Sequence, residues 1–464
     1  MKKLLFISFI ILLASCNKEN PEPEKGPLPV ITWAMSSGRF SIQAGETIQL
    51  VPDIENLDET SSYTWTFEDK VVGHDNYYTF TSEDPGEYFI QLCVTNRYGK
   101  VDDEVKITVV EKEVVEYPEI PEHNGWKFPW TEINVALGRT IKVKAYMTGD
   151  TEVYEEFAAN EEGRHIVTLS YSGQSQDFVI NVCPEAGTYR RPSTGKAMVN
   201  RVYEYMPAPG HQVNGYIIVG ESYPDNCTHE QACDSVLAHF SRKWSVSLGG
   251  QGGYLIAGFD HSVPAGGAAY DLCIKGNPFS YQSEPGIIWV SQDVNGDGLP
   301  NDQWFELAGS EYGSANHTTE YAITYFRPEK AKSAVGWRDS NNDTGYIPYM
   351  SYWNPKPFYW QPWQKENEMT FFGSRLKDRS TYEKGISDIP PYDWGYADNL
   401  GDFIDGPAGK MGYYKISNAR TWDGKPADLQ YIDFIRIQTA QTGSTPNLGE
   451  ISTEVYYISD YHLE

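Results

Sequence analysis

The 464-residue chain carries 64 acidic against 37 basic residues, a formal net charge of −27, and 14% aromatic residues, including 33 Tyr and 13 Trp. That balance argues against nucleic acid as a partner, because phosphate binding depends on Lys and Arg displacing counterions, and against docking on an anionic bilayer through a basic patch. The length suits about three domains at ~150 residues each, and 41 Gly and 28 Pro beside so many rings are the composition of strands and loops, not of helices.

The chain opens with Met1-Lys2-Lys3 and a ten-residue apolar run, Leu4 to Leu13, which is too short to span a bilayer as a mature helix. Leu13-Ala14-Ser15-Cys16 follows. Small residues before a Cys fit the narrow site of a lipoprotein signal peptidase, so residues 1–15 read as a signal peptide and Cys16 as the lipidated residue. Two or three acyl chains there give stable membrane anchoring. Residues 16–28 are Pro-rich and charged, the composition of an extended tether. The acidic stretch directly after Cys16 resembles the surface-export signal of Bacteroidetes lipoproteins. That resemblance implies the outer membrane, with the protein facing the cell exterior.

Residues 29–111 alternate as short strands between turns: Thr47 to Val51, Tyr63 to Phe67, Tyr77 to Phe80, Glu87 to Asn96 and Val105 to Val110. Strands at this spacing form a β-sandwich. The run Tyr63-x-Trp65-x-Phe67, Phe80-x5-Gly86-x-Tyr88 and Val94-x-Asn96-x2-Gly99 resembles the PKD domain, an Ig-like module that serves as a spacer or in adhesion. Residues 112–185 contain a partial echo. Leu137-Gly138-Arg139-Thr140 repeats Ala44-Gly45-Glu46-Thr47, and Phe157-x5-Gly163 repeats Phe80-x5-Gly86, but the Tyr-x-Trp-x-Phe strand is missing. This is a degenerate second Ig-like domain, with Trp126 to Trp130 placed to pack across its junction.

Residues 186–464 are too long for another such unit. Thr228 as N-cap, Gln231 at the capping-box position and Ala232, Val236, Leu237 and Phe240 at helical spacing predict one helix. The remainder alternates as strands. The whole chain is therefore all-β: two small Ig/PKD-like sandwiches, then a large jelly-roll-like β-sandwich with long loops and one short helix. Gly253 to Asp260, Gly266-x3-Tyr270-Asp271, Gly276-Asn277-Pro278-Phe279 and Glu284 to Asp293 resemble PKD-containing cell-surface lipoproteins of gut Bacteroidetes. Their C-terminal domain is a galactose-binding-like sandwich, and their genes stand beside outer-membrane uptake genes, including those for corrinoids. The resemblance implies capture of a small nutrient, a corrinoid such as cobalamin first, for an outer-membrane transporter.

Three features bear on chemistry. Asp293-Val-Asn295-Gly-Asp297-Gly298, with Asp302 four residues on, places oxygen donors at alternate positions before a turn, as a structural Ca2+ requires. It departs from an EF-hand, since Trp304 stands at position 12, and a plain Asp-Gly hairpin accounts for the same residues. Residues 346–363 hold eight aromatics and four prolines in eighteen positions, which excludes a helix or a central strand. Tyr349, Tyr352, Trp353, Phe358, Tyr359, Trp360 and Trp363, with Trp394 and Tyr396 as a second rim, are the candidate ligand-binding rings. The same rings folded inward would make a minicore, and the sequence leaves both arrangements open. Cys227 and Cys233 are close enough to close a small disulfide loop, which export permits but spacing does not prove. No GxSxG, HExxH or phosphate-loop pattern occurs, and with 64 acids a glycosidase pair such as Glu306 with Asp398 rests on counting alone. The sequence reads as a non-enzymatic capture protein; a glycan-binding lipoprotein and an adhesion protein are the alternatives.

Overall fold

The computed structural model describes residues 26–33, 39–112, 114–122, 125–146, 152–184, 190, 195–213, 226–279, 282–350, 356–383, 386–402, 404–406, 409–446 and 448–464. Cys16, Tyr352 and Trp353 lie outside these residues. The fold is mostly β, 49% strand and 6% helical. Two compact units compose it, one of residues up to 40, 50–79 and 87–107, the other of residues 41–49, 80–86 and 108–464.

In the first unit, the strand Ser62–Phe67 pairs antiparallel with Gly86–Asn96, which sets Trp65 opposite Leu92. Trp65 is fully buried with Ile90, Leu92 and Val94. It stacks on Tyr78 at 5.7 Å between ring centroids and its Nε1 donates to the Asp75 carbonyl at 2.9 Å. Asn96 explains the Asn-x2-Gly signature. Its Oδ1 accepts from the Tyr98 and Gly99 amides at 2.9 and 3.2 Å, closing the turn that reverses the chain.

Within residues 108–464 of the second unit, the first module is the one read above as the second Ig-like module. Glu132–Ala136 pairs parallel with Gln174–Cys183, which pairs antiparallel with Gly163–Tyr171, and Thr140–Ala145 pairs with Val153–Ala158. Phe128 and Trp130 meet Phe178 edge-on at 5.1 and 5.6 Å. The aromatic segment thus caps its own module's core, a more local role than the sequence suggested.

The large domain is organised around a six-stranded sheet, in the order Arg201–Met206, Tyr254–Pro264, Tyr431–Thr439, Gly286–Ser291, Trp304–Leu307, Ala419–Arg420. One face supplies Leu255, Ala257, Ile288, Val290, Phe305, Leu307, Ile435 and Ile437 to the main core. Leu272, Ile274 and Ile458, from a four-stranded sheet, complete that core. The helix His229–Arg242 adds Val236 and Phe240, and starts at Thr228 with both capping-box hydrogen bonds formed. A second four-stranded sheet, Thr344–Ile347, Val335–Asp339, His317–Phe326, Glu368–Leu376, carries its own core around Tyr321, Tyr325 and Phe371.

Cys227 and Cys233 do not form the disulfide considered above: both thiols are free and buried. Helix packing decides this. Cys233 faces inward, its Sγ 3.7 Å from His229 Nε2, while the Cys227 Sγ turns to the Thr228 carbonyl. Burial pushes the Cys233 thiol up to about 12, so it behaves as an inert small hydrophobe.

Candidate ligand-binding cleft

The second face of the six-stranded sheet differs in kind from the first. Its register places one row of directly opposed residues across all six strands. Glu204 faces Ile256, Ile256 faces Arg436, Arg436 faces Trp289, Trp289 faces Glu306, and Glu306 faces Arg420. Ile256, Arg436, Trp289 and Glu306 are each flanked in sequence by core residues, as Arg436 is by Ile435 and Ile437, and Glu204 and Arg420 each adjoin one, Tyr205 and Ala419. Period-2 alternation alone therefore turns the row away from the core. All six line a cleft of about 330 Å3.

Two other elements close it. The second Ig-like module presents Lys142, Lys144 and Trp130, and the second four-stranded sheet presents Glu320, Phe372 and Ser374. Lys142 and Lys144 both reach Glu320, at 2.7 and 3.1 Å, so module and domain are joined by charge-assisted bonds across the cleft mouth. Tyr254 donates to Glu204 at 2.6 Å, and the Arg436 guanidinium lies 4.2 Å from the Tyr254 ring centroid. Arg436 Nη2 and Gln438 Nε2 both donate to the Phe372 carbonyl, at 2.6 and 3.0 Å. This close approach requires glycine at 373, where a Cβ would sit 1.8 Å from Gln438 Oε1. Glu306 is buried, accepts from Ser374 Oγ at 2.5 Å and lies 2.7 Å from His317 Nε2. Burial first, then the Glu204 carboxylate, hold the Tyr254 phenol far above its usual range.

Four polar atoms of the wall are buried without a protein partner: Trp289 Nε1, Arg436 Nε, Gln303 Oε1 and Asp302 Oδ2. Two donors and two acceptors left open beside Trp289, Trp304, Trp422, Tyr254 and Phe372 offer what a small polar molecule with an apolar face requires. His317 and Ser374 both meet the same carboxylate, so the chain runs serine, carboxylate, imidazole, and the imidazole does not touch the hydroxyl.

The rings singled out in the sequence mostly lie elsewhere. Tyr349, Tyr359 and Trp360 are buried in the core of the second four-stranded sheet, with Tyr349 stacked on Tyr359 at 5.2 Å and Trp360 Nε1 donating to the Glu366 carbonyl. Phe358 and Trp363 are half-buried, Phe358 beneath Arg327 and Trp363 against Tyr205. Tyr396 is buried and accepts from the Glu311 amide; Trp394, 48% exposed, is the described ring of the set that faces solvent. The inward arrangement wins because the sheet offers Tyr321, Ile323 and Phe371 as an apolar floor. Asp398 does not line the cleft. It accepts from the Asn277 and Glu454 amides at 2.7 and 2.9 Å and joins Glu284 and Glu454, whose ligand atoms lie within 4.8 Å of one another.

Asp293 and Asp302 are buried and Asn295 and Asp297 exposed on the hairpin between Gly286–Ser291 and Trp304–Leu307. Asn295 Nδ2 and Asn301 Nδ2 both donate to Asp297 Oδ2. Asp302 lines the cleft and the other three do not. The cleft itself was missed in the sequence; its trace was a charged or aromatic residue between two core residues on strand after strand.

Residues 28–96 match the model of the PKD-like domain. No curated protein matches the chain. Among solved structures, the PKD domain of human KIAA0319 aligns at 14% identity over 23% of this chain and 99% of its own, with a TM-score of 0.18. The fibronectin(III)-like modules of Clostridium thermocellum CbhA align at 13% identity over 33% of this chain and 95% of theirs, with a TM-score of 0.16. Among the described residues, no helix is long and apolar enough to cross a membrane.

Proposed function

We propose that this is a non-enzymatic capture protein of the outer cell surface, anchored through Cys16, which holds one or two sugar units of a glycan in the cleft and delivers them to an outer-membrane transporter. The observation that carries the reading is the cross-sheet row: Trp289 offers a ring face and an unpartnered Nε1, between Arg436 and Glu306. Sugars need that combination of C–H stacking surface and charged hydrogen-bonding groups. A volume of about 330 Å3 lies at the small end of ligand pockets and suits one or two sugar rings, whereas a corrin ring would enter only by an edge. The PKD-like module supports an extracellular setting, and the lysine-rich start, apolar run and Cys16 support the anchor.

The test is titration calorimetry of the full mature chain with a panel of host and plant oligosaccharides and with cyanocobalamin. Saturable binding of a glycan, weakened at least tenfold in Trp289→Ala with the fold intact, is expected. Binding of cyanocobalamin that Trp289→Ala abolishes would replace the ligand class and keep the cleft. Binding unaffected by Trp289→Ala would remove the cleft from consideration, and no binding at all would leave the adhesive role.

A further inference from the structure

We infer that the hairpin loop Asp293 to Asp302 is a calcium site that braces one wall of the cleft. Asp293 is 6% exposed and Asp302 1%. Each commits one carboxylate oxygen to the loop's own backbone. Asp293 Oδ2 accepts from the Gly298 amide at 3.0 Å and Asp302 Oδ1 from the Val294 amide at 3.3 Å. The remaining oxygens, Asp293 Oδ1 and Asp302 Oδ2, are buried with no hydrogen-bond donor. Two orphaned carboxylate oxygens in one ten-residue loop are costly, because each loses its hydration and each repels the other. A divalent cation removes both penalties. The donors are all oxygen, with no His or Cys in the loop, which selects a hard ion. Ca2+ accepts irregular coordination by carboxylate, amide and carbonyl oxygens, whereas Mg2+ demands near-octahedral geometry and holds its waters, so this loop suits Ca2+ better.

The placement gives such an ion a mechanical role. Next to Asp302, Asn301 accepts from Asn134 of the second Ig-like module through its backbone carbonyl at 3.1 Å and its side chain at 2.8 Å, and Gln303 returns a bond to the Asn134 carbonyl at 3.1 Å. At the other end, the Asp293 amide donates to Asp433 at 2.8 Å, on the central strand of the six-stranded sheet. Pro300, Asn301, Asp302 and Gln303 all line the cleft. An ion at Asp293 and Asp302 thus ties the module, the sheet and the wall together. The inference does not depend on what the cleft binds.

Calcium chloride alone is titrated into the chelator-treated full mature chain by calorimetry, with the melting temperature followed in parallel. Terbium luminescence sensitised by tryptophan, Trp304 being two residues from Asp302, provides a readout that needs no variant. Expected are saturable binding near one-to-one, a melting temperature that rises with Ca2+, and terbium emission displaced by Ca2+. Asp302→Asn and Asp293→Asn should each weaken binding at least tenfold. No heat, no thermal shift and no terbium emission at about 10 mM ion, above the range of extracellular calcium modules, overturns the site. Full binding retained in both variants overturns its location.

Discussion

Trp289 stands between Ile288 and Val290, both part of the main core, and yet it faces the cleft. At the scale of single residues the molecule repeatedly uses this pattern, in which a strand devotes alternate positions to packing and leaves the others free for recognition. Gly373 marks how tightly the two sheets approach behind that surface. Gly373→Ala should destabilise the large domain by roughly 1–3 kcal/mol, the usual cost of overpacking, because Gln438 Nε2 donates to both the Gly252 and the Phe372 carbonyls and the amide has little room to retreat. Thermal denaturation measures this directly, and an unchanged melting temperature would show that the Gln438 side chain yields.

At the scale of elements, the helix and the aromatic loop make opposite points. The helix was legible because its signals are local: Thr228 and Gln231 cap each other three residues apart, and the buried positions recur at helical spacing. In residues 346–363 four prolines exclude a helix or a central strand, and the described residues after Ile347 contain neither, but the rings could not be assigned a direction from sequence. Tyr359 and Trp360 are buried by contacts with strands that lie before and after the loop in sequence. Trp360→Ala should therefore cost about 3–5 kcal/mol of stability, as for a large core ring, and should leave affinity for any cleft ligand largely unchanged in the protein that remains folded. Denaturant unfolding and calorimetry on one preparation separate the two effects.

For the whole molecule, the acidic balance matters most where acids are forced together. Glu284, Asp398 and Glu454 meet inside the large domain. Burial, chiefly, raises Glu284 to about 7, and burial together with Glu284 and Asp398 raises Glu454 well above its usual value. A folded-state pKa above the unfolded value means the native protein holds protons that the unfolded chain has released. The stability this supplies is present at about pH 4.5 and is lost as pH rises towards 7 and beyond. Glu284→Gln, which keeps the acceptor for the Ser452 amide, should flatten that fall. Melting temperatures between pH 4.5 and 8 for both proteins provide the check, and parallel curves would rule out the carboxyl cluster as their source.

Legible in the chain alone were the β class, the PKD-like module, read over residues 29–111 and matched at 28–96, the helix and its cap, and the hairpin that carries Asp293 to Asp302. Each of these rests on interactions between residues close in the chain: alternation, capping and turn chemistry. Long-range packing settled which rings became core, that Cys227 and Cys233 stay free thiols, and that Glu204, Ile256, Arg436, Trp289, Glu306 and Arg420 stand in one row. Those residues are spread over more than two hundred positions. Only strand order and register bring them together, and both are set by the fit of two large apolar faces that no local pattern encodes.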